Sequence, residues 1–291
     1  MRLSATSTSV ASKSVAAGAG GGGGGSSYDY LTNTDDLIYH IDIHNTDCYS
    51  GSGSSITDLS DSEFTTTILG TENTHWSYIA RDDASSNPAW DRTDGHEEGW
   101  IRATTSSSAD FDFGTGAFSI EMWFRPHTDI LSGFALFDTF KDTSGNTITG
   151  NPKTHLYVQY AGHNIGGSNE GTMRVYIKNH TSGDDTNVYS TATWSGYHSS
   201  IDQWGDWNHV VVTRDGTSIK MYLNGTQIIS TTSSSTYNFD SSNNASFQMG
   251  PDSSGDDHGR IGAARVYKGV ALSSSDITAH FDGEKADYGI S

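Results

Sequence analysis

The clearest hydrophobic pattern in the chain is WNHVVVTRDGTSIKMYLNG, at residues 207–225. Successive side chains of a strand point to opposite faces of a sheet, and apolar residues recur at alternate positions on both sides of Asp215-Gly216. Asp-Gly between two such runs is a strong hairpin signal because glycine adopts a positive φ without steric cost. Asn224-Gly225 repeats the signal after the second run. The pattern predicts a half-buried antiparallel hairpin followed by another tight turn.

Similar short runs follow one another from Leu37 onward. Only SSSDITAHF, at residues 273–281, has the character of a helix, and its length predicts one or two turns. Many short strands without a long amphipathic helix predict an all-β protein, built as an antiparallel sandwich. The main predicted strands are LIYHIDI (37–43), FSIEMWF (118–124), HLYVQY (155–160), MRVYIK (173–178), ASFQMG (245–250) and RIGAARVYKG (260–269).

The first 27 residues differ from the rest of the chain. They are rich in Ser, Ala and Gly and end in a glycine run, which predicts a flexible N-terminal arm (1–27) before a single sandwich domain (28–291). The arm is either a docking element for a partner or only a leader segment. It is too polar for the apolar region of a secretory signal, so we expect no signal cleavage. No stretch of about 20 apolar residues predicts a membrane span.

Charge and cysteine content exclude several classes of function. The formal net charge is −19 and no basic run interrupts it, so a phosphate backbone would be repelled and nucleic acid is not an expected partner. Cys48 is the only cysteine in the sequence. It can therefore form neither an intrachain disulfide nor a cysteine-based zinc site.

Three segments together resemble the concanavalin A-like lectin/glucanase superfamily, in its laminin-G-like branch. They are FSIEMWFRP, WNHVVVTRDGTSIKMYLNGTQI and GRIGAARVYKGVALSSSDITAHF. The opening LIYHIDIHNTDCYSGSGSSITDLSD is similar to the first strand and loop of such domains in bacteriophage and bacterial surface proteins. The resemblance covers roughly residues 35–285. It implies a two-sheet jelly roll whose first and last strands lie side by side, with binding on the concave sheet or on rim loops.

Members of this superfamily that cleave glycosides place several carboxylates along one strand. In this chain the corresponding strand carries Glu121 alone, with no acid at 119, 123 or 125, and the other glutamates, including Glu284, are expected in loops or tails. Retaining hydrolysis needs two carboxyl groups about 5 Å apart. We therefore expect no enzymatic activity, and a divergent glycoside hydrolase is the less favoured alternative.

Calcium is the one cofactor that the resemblance suggests, since some relatives bind it at the rim. The loop PDSSGDDHG offers Asp252, Asp256 and Asp257 as oxygen ligands. A second loop offers Asp138, Asp142 and Asn146. The alternative is that these Asp-Ser-Gly runs are ordinary turns that need no ion.

Aromatic residues on the predicted polar faces are the candidate binding residues. Aromatic rings stack on the apolar faces of sugars, so such surfaces suit carbohydrate or a partner subunit, although aromatic pairs also merely support a sheet. A second aromatic group mixes loop with strand start, and we expect its rings to be exposed. The first group is Trp123, Tyr157, Tyr176 and Tyr222, and the second is Trp194, Tyr197 and Trp204.

These observations favour a non-catalytic structural or adhesive module at a virion surface, such as a bacteriophage capsid-decoration, tail or fibre protein, or another extracellular setting. The expected partners are a glycan or host-surface polysaccharide, a shell or tail protein bound through the arm, and further copies of the chain. The virion setting rests on the family resemblance alone. The alternative in the binding class is a free carbohydrate-binding lectin.

Overall fold

The computed structural model describes residues 28–62, 64–69, 76–80, 82, 84–85, 87–92, 100–104, 113–127, 134–139, 154–161, 167–179, 185–197, 204–233, 246–251 and 259–291. The predicted arm at 1–27 lies outside them. The first strands are β1 (Leu37–Asp42), β2 (Ser55–Thr57), β3 (Thr65–Leu69), β4 (Trp76–Ile79), β5 (Ala89–Arg92), β6 (Trp100–Thr104), β7 (Phe118–Pro126) and β8 (Phe134–Asp138). They are followed by β9 (Thr154–Tyr160), β10 (Thr172–Asn179), β11 (Asp185–Thr193), β12 (Asn208–Asp215), β13 (Ser218–Leu223), β14 (Thr226–Thr232), β15 (Ser246–Pro251), β16 (Gly259–Lys268) and the helix α1 (Ser274–Glu284). Short 3-10 helices span Thr34–Asp36 and Gly167–Asn169.

These strands form two antiparallel sheets of eight strands each, which confirms the predicted all-β sandwich. The first sheet has the order β14-β13-β12-β7-β16-β5-β4, and β1 also pairs with β16. The second has the order β11-β10-β9-β8-β15-β6-β3-β2. Because β1 pairs with β16 from Leu37 opposite Tyr267 to Asp42 opposite Ala263, the first and last strands lie side by side as expected.

The predicted hairpin is present as β12 and β13. Val212 pairs with Met221 and Asp215 with Ser218, so the turn falls at Gly216, which has a φ of 57°. The next turn, between β13 and β14, places Asn224 at a φ of 49°. Asparagine and glycine tolerate this left-handed conformation better than other residues, which explains the Asn-Gly pair at this position.

The main core lies between the two sheets. Ile120 of β7 and Val212 of β12 meet it from the first sheet, and Leu156 of β9 and Val175 of β10 meet it from the second. All four side chains are at most 2% exposed. Core residues recur at alternate positions along a strand, as Phe118, Ile120 and Met122 do in β7, which agrees with the alternation in the sequence.

The outer face of the first sheet is also covered, because α1 and the C-terminal residues pack on it. Trp123 and Trp207 form one cluster there with Tyr288, and Tyr222 and Ile277 belong to a second. The helix has eleven residues, more than the one or two turns predicted. The expectation that this face of the sheet is polar and exposed is therefore wrong.

Candidate functional site

The structure divides the first group of predicted binding residues between two separate surfaces. Trp123 and Tyr222 lie on the outer face of the first sheet, beneath α1, whereas Tyr157 and Tyr176 lie on the outer face of the second sheet. Trp123 is 0% exposed and Tyr222 is 5% exposed. These two residues cannot contact a ligand while the helix is in place, so their expected exposure is corrected.

Trp123 has a structural explanation in its contacts. Its ring stacks on Tyr288 with centroids 4.0 Å apart and on Phe281 at 5.8 Å, and its indole N–H donates to Glu284 Oε2. Tryptophan combines a large apolar body with one polar hydrogen, and both are used here. The side chain fastens the C-terminal segment to the sheet.

The second aromatic group lies near one end of β12. Trp194 is 1% exposed and donates its indole N–H to the carbonyl of Ala161 at 3.2 Å, so its expected exposure is wrong. Tyr197 and Trp204 are partly exposed. The guanidinium of Arg260 lies 4.0 Å from the centre of the Trp204 ring, which already gives that ring a cationic partner.

A fully buried charged centre lies between the first sheet and α1. Glu121 accepts hydrogen bonds from Arg265 Nη1 at 2.8 Å and lies 3.0 Å from His209 Nε2 and 2.9 Å from His280 Nδ1. Burial alone would raise the pKa of Glu121, but His280, Arg265 and His209 hold it well below its ordinary value. The carboxylate is therefore ionised and fully engaged.

Glu284 brings a second carboxylate into this centre, although the sequence placed it in a tail. It accepts from Arg265, from Trp123 and from the hydroxyl of Tyr30 at 2.6 Å. One carboxylate oxygen of Glu284 lies within 4.8 Å of a carboxylate oxygen of Glu121, which is near the spacing of the two carboxyl groups in a retaining glycosidase. Both carboxylates are at most 3% exposed, so a sugar cannot reach them in this structure. Arg265 also supplies the positive charge that a metal ion would bring there.

The open aromatic surface is on the outer face of the second sheet, centred on Arg174 of β10. Its guanidinium carbon lies 4.9 Å from the ring centre of Tyr176, 5.2 Å from that of Tyr189 and 6.0 Å from that of Tyr157. Arg174, Tyr176 and Tyr189 are partly exposed, and Asn187 beside them is exposed, whereas Tyr157 is buried at 6% exposure and supports the other rings. We call Tyr157, Arg174, Tyr176, Asn187 and Tyr189 the tyrosine face.

Hydrogen bonds fix the side chains of the tyrosine face. Arg174 donates from Nε to Asn187 Oδ1 at 2.9 Å and from Nη1 to Gln159 Oε1 at 3.1 Å. Tyr176 donates its hydroxyl to Asp185 at 3.0 Å. These bonds fix the arginine and Tyr176, so the side chains of this face are ordered before any ligand arrives.

Strand register continues this row of outward-facing residues across the sheet, into positions that are buried. Asn187 pairs with Tyr176, Tyr176 with Tyr157, and Tyr157 with Asp138. Beyond Asp138 the row continues through Gln248 to Arg102. Gln248 is 3% exposed and its Oε1 has no hydrogen-bond partner among the described residues. The row offers hydrogen-bonding groups on both sides of its aromatic rings.

Sequence reasoning found Tyr157 and Tyr176 but missed Tyr189 and Asn187. Both missed residues belong to β11, whose sequence DTNVYSTAT has only one aliphatic residue that faces inward, Val188. Without a row of alternating apolar residues, the segment does not stand out as a strand in the sequence. Register opposite β10 is the signal that would have found them.

The predicted calcium ligands are not tested by the described residues. Asp252, Asp256 and Asp257 lie outside them, as do Asp142 and Asn146. Asp138 is described, at the end of β8, and is 4% exposed. Within the described part of the chain, no helix combines the length and the apolar character needed to cross a membrane.

Comparison with known families gives one match. A laminin G family model, described as concanavalin A-like lectin/glucanases superfamily, matches residues 97–278. This range contains β7, β12 and β16, the strands that carried the resemblance in the sequence. No curated protein matches the chain.

Solved structures with a similar fold include binding domains of toxins. The binding domain of Paraclostridial Mosquitocidal Protein 1 has a TM-score of 0.61 and 16% identity over 88% of this chain and 56% of its own. A botulinum neurotoxin type C structure, described by the dependence of cell entry on two ganglioside molecules, has a TM-score of 0.56 and 14% identity over 86% and 51%. A binding domain of botulinum neurotoxin DC, in complex with rat synaptotagmin II, has a TM-score of 0.56 and 12% identity over 86% of this chain and 52% of its own. The chain spans about half the length of these proteins.

Proposed function

Since the chain belongs to the concanavalin A-like lectin/glucanases superfamily, we propose that it is a non-catalytic, glycan-binding adhesive module that binds sugar on the tyrosine face. The observation that carries the proposal is the pair of partly exposed rings, Tyr176 and Tyr189, at 4.9 and 5.2 Å from the guanidinium of Arg174, with the buried ring of Tyr157 at 6.0 Å. Tyrosine rings stack on the apolar faces of sugar rings, and the arginine and Asn187 donate hydrogen bonds to hydroxyl or carboxylate groups.

Burial supports the choice of this face over the first sheet. Trp123 and Tyr222 are sealed beneath α1, while Tyr176 and Tyr189 reach solvent. Rigid aromatic side chains that are already held in place cost little ordering entropy on binding. The ganglioside dependence belongs to the botulinum neurotoxin type C neighbour, and it motivates including sialylated glycans among the probes.

Glycan-array binding of single variants tests the proposal. We expect Tyr176→Ala and Tyr189→Ala each to weaken binding about tenfold or more, as loss of a central aromatic contact costs roughly 1–2 kcal/mol or more. Tyr78→Ala is the matched control, because Tyr78 is equally a partly exposed strand tyrosine but lies on the first sheet. Unchanged binding by both tyrosine-face variants, with folding intact, would rule out this face.

The hydrolase alternative is tested separately. We propose that Glu121 and Glu284 hold α1 to the sheet, since both are ion-paired to Arg265 and shielded from solvent. Polysaccharides that the protein binds should keep their chain length after prolonged incubation with it. Turnover by the wild-type protein that disappears in Glu121→Gln, with unfolding temperature preserved, would instead support catalysis.

We also propose that the module acts at a virion surface, attached to a shell or tail protein through residues 1–27. The support is the family resemblance of the opening segment and the composition of those residues. Immunogold electron microscopy of native particles, with antibody raised against residues 28–291, should label the particle surface. Removal of residues 1–27 should abolish incorporation, and a particle that incorporates the shortened chain normally would contradict the arm's role.

A further inference from the structure

Residues 28–33, which we call the strap, lie against the C-terminal end of α1 and cover part of the buried charged centre. The ring of Tyr30 sits so close to the helix that a Cβ at Gly283 would collide with it. Each of three strap residues makes a hydrogen bond to a side chain far along the chain. These bonds join Tyr28 Oη to Asp42 at 2.9 Å, Tyr30 Oη to Glu284 at 2.6 Å, and Thr32 N to His280 Nε2 at 3.0 Å.

The bond from Thr32 determines where His280 carries its proton. A backbone N–H can only donate, so Nε2 of His280 must present its lone pair to Thr32. The ring proton is then on Nδ1, which lies 2.9 Å from Glu121 Oε2 and donates to it. The docked strap therefore requires a neutral His280.

His280 lies within a buried cluster of charged side chains. Glu121 of β7 and Glu284 of α1 are carboxylates, and Arg265 of β16 is the only guanidinium bonded to them among the described residues. With neutral imidazoles this centre carries a net charge of −1, from two carboxylates and one guanidinium, and one added proton would neutralise it. Tyr267 of β16 and Asp276 of α1 also lie beside His280, while His209 of β12 and Tyr30 of the strap bond to its carboxylate neighbours. His40 of β1 packs against Tyr28 of the strap, and burial and the charge of Arg265 hold the pKa of His40 well below its ordinary value.

We propose that a proton and the strap compete for the Nε2 lone pair of His280, so that acidification releases the strap from α1. The strap-docked state binds one proton fewer than the released state, so docking weakens as pH falls. The hydroxyl of Thr32, 3.1 Å from the same nitrogen, can turn to accept from a protonated ring, but the backbone N–H cannot. The relevant range is roughly pH 8 to 5, in which histidine changes charge.

Release would change what the molecule presents to its surroundings. Tyr30 and Thr32 cover His280 and Glu284, which are 0% and 3% exposed in the docked state. Their departure would open an anionic, histidine-containing patch beside α1. It would also free the attachment point of residues 1–27, so pH would control how the arm leaves the domain.

Hydrogen exchange of the Thr32 amide measures strap docking in the full chain. After correction for the intrinsic rate, we expect its exchange to accelerate by up to about tenfold per pH unit on acidification from pH 8 to 5, the limit for one competing proton. The β12–β13 hairpin should stay protected throughout, which separates strap release from unfolding. Unchanged Thr32 protection across this range would overturn the proposal.

Two histidine variants test which histidine causes the pH dependence of strap docking. His280→Gln offers Thr32 an acceptor that does not titrate, so it should keep the strap protected at pH 5. His209→Gln is the matched control, because His209 also bonds Glu121 but makes no contact with the strap in the described structure, and it should retain the wild-type pH dependence. A persistent pH dependence in His280→Gln, or its loss in His209→Gln alone, would contradict the assignment.

A measurement on the unmodified protein covers the case in which a variant fails to fold. The 15N chemical shifts of the His280 imidazole should show a neutral ring at pH 8 with its proton on Nδ1. An Nε2-protonated ring at that pH would exclude the Thr32 hydrogen bond and with it the competition.

Discussion

Arg265 is the side chain on which the buried charges depend. It is 1% exposed and donates to both Glu121 and Glu284, which come from opposite sides of the interface between sheet and helix. Removing one partner from a buried ion pair leaves an uncompensated charge and costs roughly 3–5 kcal/mol. Replacing any single member of the centre would therefore leave another buried charge uncompensated, which makes this position of α1 on the sheet sensitive to each of them.

Asp82 is another buried carboxylate with two cationic partners, Arg125 and Arg260, and its charge can be removed by acid. It is 0% exposed and accepts from the backbone N–H of Ser85, from Trp207 Nε1 and from Arg125, each at 3.0 Å, and also from Arg260. Burial opposes ionisation, but the bonds from Ser85 and Trp207 and the charge of Arg125 lower the pKa of Asp82 to about 2.

Asp82→Asn should therefore cost stability in a pH-dependent way. A carboxyl whose pKa falls from about 3.9 unfolded to about 2 folded contributes roughly 2–3 kcal/mol above pH 5 and loses it as pH falls toward 2. Urea unfolding at pH 7, 5, 4 and 3 should show the deficit of the variant shrinking with acid. The exposed carboxylate of Asp61 provides the control Asp61→Asn, with little change at any pH. A deficit independent of pH would show that Asp82 acts through shape and not through charge.

Among the elements, those with a local signal were predictable from the sequence. The β12–β13 hairpin followed from alternation and two turn pairs, and the helix from SSSDITAHF. The position of α1 on the first sheet was not predictable in this way. It depends on contacts such as Trp123 with Tyr288 and Glu121 with His280, which join residues far apart in the chain.

The same reason explains the fate of the predicted site. Alternation correctly placed Trp123, Tyr157, Tyr176 and Tyr222 opposite the core, but it could not distinguish a face open to solvent from one covered by a helix. The outer face of the second sheet is open at the tyrosine face, whereas the outer face of the first sheet is covered by α1. Register between β10 and β11, which a single sequence does not reveal, then added Tyr189 and Asn187.

The start of α1 carries a prediction of its own. Ser273 is the N-cap, its hydroxyl accepts the N–H of Asp276 at 3.2 Å, and Asp276 accepts in return from the N–H of Ser273 at 3.0 Å. Loss of such a cap costs about 0.5–2 kcal/mol. Ser273→Ala should lower the free energy of unfolding by about this amount, measured by denaturant titration. Ser274→Ala, the neighbouring helix residue, is the control, and an equal loss in both would mean that the capping box contributes nothing specific.

Considered as a whole, the sandwich is asymmetric. One sheet is enclosed between the main core and a covering of α1, the C-terminal residues and the strap, while the other carries the tyrosine face on its outer side. The covered sheet gains rigidity from apolar packing and buried ion pairs. This division places the proposed glycan contacts and the proposed pH response on opposite faces of the molecule.

Two N-terminal truncations measure how much the strap stabilises the whole domain. A chain beginning at residue 28 retains the strap, and one beginning at residue 34 lacks its bonds to Glu284 and His280. A hydrogen bond to a charged group, here Glu284, contributes roughly 1.5–3 kcal/mol and one to a neutral group, here His280, roughly 0.5–1.5 kcal/mol, so we expect the shorter chain to be less stable by about 2–4 kcal/mol at pH 8. The difference in stability between the two chains should narrow at pH 5, because the strap is then already released.

Both truncations should bind the same glycans with equal affinity, as the tyrosine face lies on the other sheet. Equal stability of the two chains at pH 8 would mean that the strap contacts the helix without stabilising the domain. A glycan affinity that changed with the truncation would place glycan binding on the covered sheet.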